Sequence, residues 1–392
     1  MSKDYLMPSY NRAPLSFTHG DGIYLYGDDG RQYFDFTTGI GVNSLGHGHP
    51  HVSAALTEQA KKLWHVSNQY RIPQQERLAE RLCEATFADR VFFSNTGAEA
   101  VECALKLTRR YFDVTVKPER WRTIVFDGAF HGRTLATIAA GGGEKYMDGF
   151  APHIDGFDRA IFGDLASVRK LIRDDTAAIL LEPVQGEGGV RAASDDFLQG
   201  LRKLADEFGL LLILDEVQSG NGRTGQLYCY QWANIQPDIL ATAKGLGAGF
   251  PVAACLATER VSLGFVAGSH GTTFGGNPLA MAVGNAVLDV LLAPDFLPSV
   301  QSVSEYLRKC LVGLAHKYPT VLGPALRGRG MMIGVPAIVP NTLVAEALRH
   351  HNVLVVTARD NMVRLLPPLI LSMAQVDEAT IAMDAGCASL LS

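Results

Sequence analysis

Short apolar runs alternate with longer stretches of helical periodicity over most of the chain. The runs are Val91-Phe92-Phe93, Thr123-Ile124-Val125-Phe126, Ala177 to Leu181, Leu210 to Leu214 and Val252 to Ala257. Between the third and fourth, Phe197, Leu201, Leu204 and Phe208 recur on one face of a predicted helix over 196–208. Strands with no polar alternation are buried on both faces, and intervening helices supply the covers. The pattern therefore predicts a mostly parallel sheet with helices on either side, occupying roughly residues 46–280. Near the start, Gly22-Ile23-Tyr24-Leu25-Tyr26-Gly27 alternates and runs into Asp28-Asp29-Gly30, which reads as a hairpin. Beyond residue 281 come a long helix, two weaker strands (Gly330 to Val335 and Val353 to Val356) and a helical tail, a smaller α+β domain. The expected divisions are an N-terminal segment 1–45, a large domain 46–280 and a small domain 281–392.

Composition narrows the class. At 392 residues, with 47% hydrophobic and 19% charged positions, the chain reads as a soluble globular protein, neither disordered nor coiled, long enough for two domains or one large one with an appendage. A formal net charge of −5 gives no reason to expect nucleic acid or an anionic membrane as partner. No apolar stretch is long enough to span a bilayer. Met1 to Pro8 has neither the apolar core of a signal peptide nor an Arg-rich leader, so the cytoplasm is the expected location. The six cysteines are scattered without CxxC spacing, and free thiols are expected.

The candidate chemistry centres on Lys244 and Asp215. Asp215 ends the run Leu210 to Leu214, and Lys244 lies among small and apolar residues in Ala241-Thr242-Ala243-Lys244-Gly245-Leu246-Gly247. A desolvated lysine loses basicity, so its amine is free to form a Schiff base with an aldehyde. A carboxylate at a strand end can hold a cationic ring nitrogen. The two together are what pyridoxal 5'-phosphate requires. Ser94-Asn95-Thr96-Gly97-Ala98 follows a strand and opens a helix, where free N–H groups and the positive dipole end suit a phosphate; an ordinary helix cap is the alternative. Asp215 as a Mg²⁺ holder in a nucleotide site would call for a GxxxxGK[ST] loop, and none is present. Glu182 and Glu187 share a glycine-rich turn, but no histidine or aspartate accompanies them at ligand spacing, so no metal is expected. Arg133 offers a fork for a carboxylate, against the commoner surface ion pair.

Several segments together carry a resemblance: Gly46-His47-Gly48-His49-Pro50, Leu63-Trp64-His65-Val66-Ser67-Asn68, Asn95 to Ala100, Phe130-His131-Gly132-Arg133-Thr134, Glu182-Pro183-Val184-Gln185-Gly186-Glu187-Gly188-Gly189, the Asp215 and Lys244 segments, and Gly271 to Pro278. In this order, from about Gly20 to Leu371, the chain resembles the class III (omega) aminotransferases of fold type I. The resemblance implies an α/β PLP-dependent transferase fold, a mostly parallel central sheet plus a smaller α+β domain that takes in the N-terminal segment. It implies that Lys244 holds the cofactor aldehyde and is the catalytic base and acid. Asp215 would face the ring nitrogen, Gln218 the ring 3-oxygen, Phe130 the ring face, and Gly97 and Ala98 the phosphate. Thr273 would reach that phosphate from a neighbouring subunit, which implies a homodimer with shared sites. Arg133 would take the donor's distal carboxylate. Glu187 would pair with Arg364 until 2-oxoglutarate claims that arginine. His131 is expected to be positional only.

The implied reaction moves the terminal amino group of N2-acetyl-L-ornithine to 2-oxoglutarate, giving N-acetyl-L-glutamate 5-semialdehyde and L-glutamate, a step of arginine biosynthesis. Ornithine, succinylornithine, N-succinyl-LL-2,6-diaminopimelate or GABA as donor stays open, as does a PLP aminomutase of the glutamate-1-semialdehyde type. An aminomutase needs no external acceptor, so the Arg364–Glu187 pair speaks against it.

Overall fold

The computed structural model describes residues 5–115 and 117–391; Met1 to Asp4 of the N-terminal segment, Val116 and Ser392 lie outside the described residues. Its largest sheet has seven strands in the spatial order Arg90–Ser94, Ala253–Ala257, Ile239–Thr242, Leu211–Asp215, Thr176–Leu181, Arg122–Phe126 and Phe157–Ala160. Every residue of the four strands from Ala253–Ala257 to Thr176–Leu181 is buried, which is why those runs carry no alternation.

Two features of this sheet were not in the apolar pattern. Ala253–Ala257 runs antiparallel to both neighbours. The connection from Thr242 to Ala253 contains only one 3-10 turn, Lys244–Leu246, too short for the crossover a parallel return requires. Phe157–Ala160 is a further edge strand, parallel to Arg122–Phe126. Its sequence Phe-Asp-Arg-Ala is polar because an edge has solvent beside it, and Asp158 there pairs with Arg122 at 2.8 Å.

The helix Gly97–Val114 covers one face of the sheet with Ala100, Val101, Ala104, Leu105 and Thr108 buried. Its start is fixed by a capping box: the Glu99 N–H donates to Thr96 Oγ1 at 3.3 Å, and the Thr96 N–H donates to the Glu99 carboxylate at 2.9 Å. The helix Asp195–Phe208 buries Phe197, Leu201 and Leu204, as its periodicity predicts. Ser194 caps it, and Gly209 ends it in the left-handed conformation at φ 63°.

The hairpin predicted near the start joins Tyr24–Gly27 to Gln32–Asp35, with Phe17–Asp21 as a third antiparallel strand. The strand expected over 353–356 is two strands. Val353–Leu354 runs parallel to Gln32–Asp35, whereas Val356–Ala358 pairs with Met362–Leu365 in a separate four-stranded sheet. One apolar run thus serves two sheets, a division that composition does not mark. Among the described residues no single helix is long and apolar enough to cross a membrane.

Candidate active site

Asp215, at the carboxyl end of its strand, and Glu182, just beyond the end of Thr176–Leu181, face one cavity of about 530 Å³. This is where open α/β sheets bind their ligands. The same cavity is lined by Gly97, Ala98, Phe130, Arg133, Glu187, Gln218 and Lys244. Eight of the ten expected site residues therefore share one space when Asp215 is counted. Arg364 joins them through its ion pair with Glu187. Thr273 does not: it is exposed, outside this cavity, next to the exposed Phe274.

Lys244 opens the 3-10 turn with φ 44°, a left-handed conformation that costs a non-glycine residue energy and that occurs where a site over-determines the backbone. Burial, then the nearby Arg364 charge, lowers its ammonium pKa to about 8, against the opposing pull of Asp215, Glu182 and Glu187. At neutral pH an accessible fraction is the free amine.

Asp215 is held on both carboxylate oxygens. Oδ1 accepts from the Val217 N–H at 3.1 Å, and Oδ2 meets His131 Nδ1 at 2.7 Å. The opposite ring nitrogen of His131, Nε2, is buried without a partner among the described residues. His131 thus orients the aspartate directly, a positional role. Glu182 accepts the Phe130 N–H at 3.0 Å. Burial, then the charge of Asp215, holds its carboxyl well above the usual carboxylate range. It fixes the Phe130 backbone through this hydrogen bond.

Arg364 lies on the strand Met362–Leu365 and is fully buried. Its Nη2 donates to Glu187 Oε1 at 2.6 Å and its Nη1 to Gln218 Oε1 at 3.2 Å. The other end of Gln218, Nε2, donates to the Ile40 carbonyl at 3.2 Å. A Cβ at Gly186 would approach Gln218 Oε1 to 2.1 Å and Arg364 Nη1 to 2.9 Å, so only glycine leaves this contact undisturbed. Ile40 itself was missed. It belongs to a single left-handed turn, Thr38 to Gly41, with φ between 46° and 80°, pinned by the Thr38 hydroxyl to the Leu366 carbonyl at 2.8 Å. A β-branched residue in that region is strained, and glycines on both sides make the turn affordable. The Thr-Thr-Gly-Ile-Gly sequence was the available signal.

Arg133 is exposed at the cavity mouth, with no carboxylate paired to it among the described residues. Its guanidinium carbon lies 4.2 Å from the Tyr146 ring centroid and 5.6 Å from that of Phe130. Tyr146 also lines the cavity and was not among the expected residues.

These residues fit pyridoxal phosphate. The capped N-terminus of an 18-residue helix faces the cavity with Thr96, Gly97 and Ala98. A Cβ on Gly97 would come within 2.7 Å of Val217, and one on Gly132 within 2.7 Å of Ala98, so the cradle is built on close backbone approach. An anchored carboxylate, an aromatic ring and a lysine of lowered basicity complete the donor set.

Comparison with known proteins agrees with this geometry. A family model described as aminotransferase class-III matches residues 5–385. A protein of Brucella melitensis biotype 1 named acetylornithine aminotransferase is 57% identical over 374 residues, covering 95% of this chain and 93% of its own. One of the same name from Mesorhizobium japonicum is 56% identical over 390 residues, covering 100% and 98%. Among solved structures, ornithine aminotransferase from Toxoplasma gondii superposes with a TM-score of 0.93 at 30% identity, covering 99% of this chain and 93% of that one. N-acetylornithine aminotransferase from Stenotrophomonas maltophilia superposes at 0.85 and 33% identity, covering 97% of each.

Proposed function

The chain belongs to the class-III aminotransferases, which are pyridoxal phosphate enzymes, and from that premise we propose that it transfers the terminal amine of N2-acetyl-L-ornithine to 2-oxoglutarate. The products are N-acetyl-L-glutamate 5-semialdehyde and L-glutamate, a step in arginine biosynthesis. The observation that carries the reading is one cavity lined by Lys244, by the exposed Arg133 and by Glu187, which is paired with the buried Arg364.

Lys244 would hold the cofactor aldehyde, Asp215 its ring nitrogen, Phe130 its ring face and Gln218 its ring oxygen. The N–H groups of Gly97 and Ala98 would hold its phosphate. When bound, the cofactor supplies an electron sink for breaking a C–H bond beside the transferred nitrogen. Lys244 then takes a proton at Nζ and returns it, a task suited to an amine with a pKa of about 8. Arg133 takes the donor carboxylate. Glu187 covers Arg364 during the donor half-reaction and yields it to a carboxylate of 2-oxoglutarate.

We propose further that two copies of the chain share their sites. Thr273 and Phe274 are exposed beside His65, and Leu63, Trp64 and Tyr70 are exposed nearby in sequence. Together they offer an apolar surface that a second copy would bury, delivering its Thr273 to the phosphate. The pairing of Val353–Leu354 with Gln32–Asp35 supports grouping residues 1–45 with 281–392 as the small domain around the large unit 46–280.

The test is to mix purified holoenzyme, without acceptor, with N-acetylornithine, ornithine, succinyl-diaminopimelate and GABA in parallel. The decay of the cofactor's visible absorbance is followed in each. Fastest decay with N-acetylornithine is expected. Preference for GABA or free ornithine overturns the donor, and no decay with any amine overturns the reaction.

A further inference from the structure

Arg133 is the one charged side chain of the proposed substrate contacts that no acidic group in the described chain steadies, and its support is aromatic. The Tyr146 ring lies face-on beneath the guanidinium at 4.2 Å, well inside the range of a cation–π contact. Phe130 meets Tyr146 edge-to-face, with centroids 5.6 Å apart and planes at 77°. The three side chains form a stack that runs from the cofactor cradle to the cavity mouth.

Local structure accounts for where Tyr146 sits. The helix Leu135–Gly141 ends at Gly142, in the left-handed conformation at φ 64°. Its last carbonyls are taken by the Arg159 guanidinium: Nη2 donates to Ala139 at 3.1 Å, and Nη1 to Ala140 and Gly141 at 3.2 Å each. The turn that follows is close-packed. A Cβ at Gly142 would overlap the Arg159 guanidinium, and one at Gly143 would approach Tyr146 Cδ2 to 3.0 Å and Arg359 Nη2 to 3.1 Å. Gly142 and Gly143 thus lead directly into the four-residue helix Glu144–Met147, whose Tyr146 lines the cavity, and Arg159 fixes the end of the helix before it.

We propose that Tyr146 is a positioning residue for Arg133: its ring face carries the guanidinium so that the fork is presented across the cavity mouth to the donor's carboxylate. This rests on the reading that Arg133 binds that carboxylate. A free arginine side chain would lose rotamer entropy on gripping a ligand. The aromatic stack orders it beforehand and leaves its N–H groups, which lie in the guanidinium plane, free to donate. A carboxylate partner from the protein would order it equally well but would occupy the same donors.

The test compares two amines with the holoenzyme. N-acetylornithine carries the carboxylate; N-acetyl-1,4-diaminobutane has the same amide and reacting amine without it. Y146L should raise KM for N-acetylornithine roughly threefold, the size of a partly exposed cation–π contact, with kcat nearly unchanged. It should leave kcat/KM for N-acetyl-1,4-diaminobutane as in the wild type. Y146F, which keeps the ring, should restore the wild-type KM. Equal loss on both amines would make Tyr146 only a wall of the cavity and overturn the proposal, as would no loss on either. R133A separates the premise from the inference. If R133A fails to discriminate the two amines, the carboxylate reading falls. If it discriminates and Y146L does not, Tyr146 alone is refuted.

Discussion

The two arginines of the cleft sit in opposite electrostatic settings. Arg364 is buried, and its charge is met inside the chain by Glu187 at 2.6 Å and by the Gln218 carbonyl oxygen at 3.2 Å. Arg133 is exposed, meets no carboxylate among the described residues and rests on aromatic faces. A guanidinium removed from water without a partner costs several kcal/mol, so a buried arginine must carry its own counter-charge. An exposed one is hydrated and can wait. The partners differ in freedom as well: the Glu187 side chain is 32% exposed in a glycine-rich turn, whereas Arg364 is 1% exposed on a strand. If the pair opens, the glutamate is the half that leaves. On the proposed reading, an incoming carboxylate at Arg364 replaces one already there, and the penalty of a bare buried charge makes that end strict. At Arg133 a carboxylate replaces water, so that end discriminates only weakly. Acceptor choice is then firm and donor choice soft.

The largest effect should come from removing the buried partner. In R364A, kcat/KM for 2-oxoglutarate should fall roughly a hundred- to thousandfold, the size expected for truncating a buried hydrogen-bonded charge pair. The donor half-reaction, measured alone by single turnover, should fall far less. Equal losses in both halves would erase the contrast between the two ends.

Lys244 tests the same contrast through stability. Its pKa is lowered from 10.5 to about 8 in the folded chain. Below pH 8 both folded and unfolded chains hold the proton, and the folded state bears the full cost of the buried charge. Between pH 8 and 10.5 the unfolded chain keeps a proton that the folded chain has released, so this cost fades as pH rises. Above 10.5 it is gone. Cofactor-free K244M should therefore be more stable than the wild type by about 3 kcal/mol at pH 7, with the advantage shrinking markedly by pH 9.5. Urea denaturation at the two pH values measures it. A pH-independent difference would mean that the ammonium is as well solvated as Arg133.

How much of this was readable beforehand follows from the range of each interaction. The strand runs and the positions of Lys244 and Asp215 were legible because burial on two faces leaves an uninterrupted apolar signal that a charged residue visibly ends. Phe157–Ala160 was not, since an edge strand needs no such run. The reversed direction of Ala253–Ala257 follows only from the short connection before it. The contacts that tune the site, His131 to Asp215, Gln218 to Arg364 and Tyr146 to Arg133, join residues from separate loops. No periodicity links such pairs. Resemblance named most of the individual residues and the Glu187–Arg364 pair; the other contacts among them came from the fold.

Neutralising Glu187 should produce a smaller change, of opposite sign. In E187Q the side chain keeps its size, but Arg364 loses its internal counter-charge, so a dicarboxylate no longer has to displace one. The KM for 2-oxoglutarate should fall roughly five- to tenfold, about 1 kcal/mol. L-Glutamate should become a stronger competitor of the donor, because its carboxylate, like that of 2-oxoglutarate, meets the unmasked Arg364 guanidinium. Steady-state kinetics with product inhibition reads both. An unchanged KM would show that Glu187 does not compete with the acceptor.

The smallest effect belongs to the exposed end. R133K keeps the charge and loses the planar fork and much of the overlap with the Tyr146 face. An exposed ion pair contributes at most about 1 kcal/mol, so the KM for N-acetylornithine should rise no more than about fivefold, with kcat unchanged. The acceptor half-reaction should lose about as little, because 2-oxoglutarate is a diacid and its second carboxylate meets the same exposed guanidinium. Because this end is open to water, raising ionic strength should weaken donor binding more than acceptor binding, and R133K should keep that salt dependence, since the charge is still there. A loss with R133K as large as that with R364A would mean that the mouth of the cleft is desolvated when the donor binds, and donor choice would then be as strict as acceptor choice.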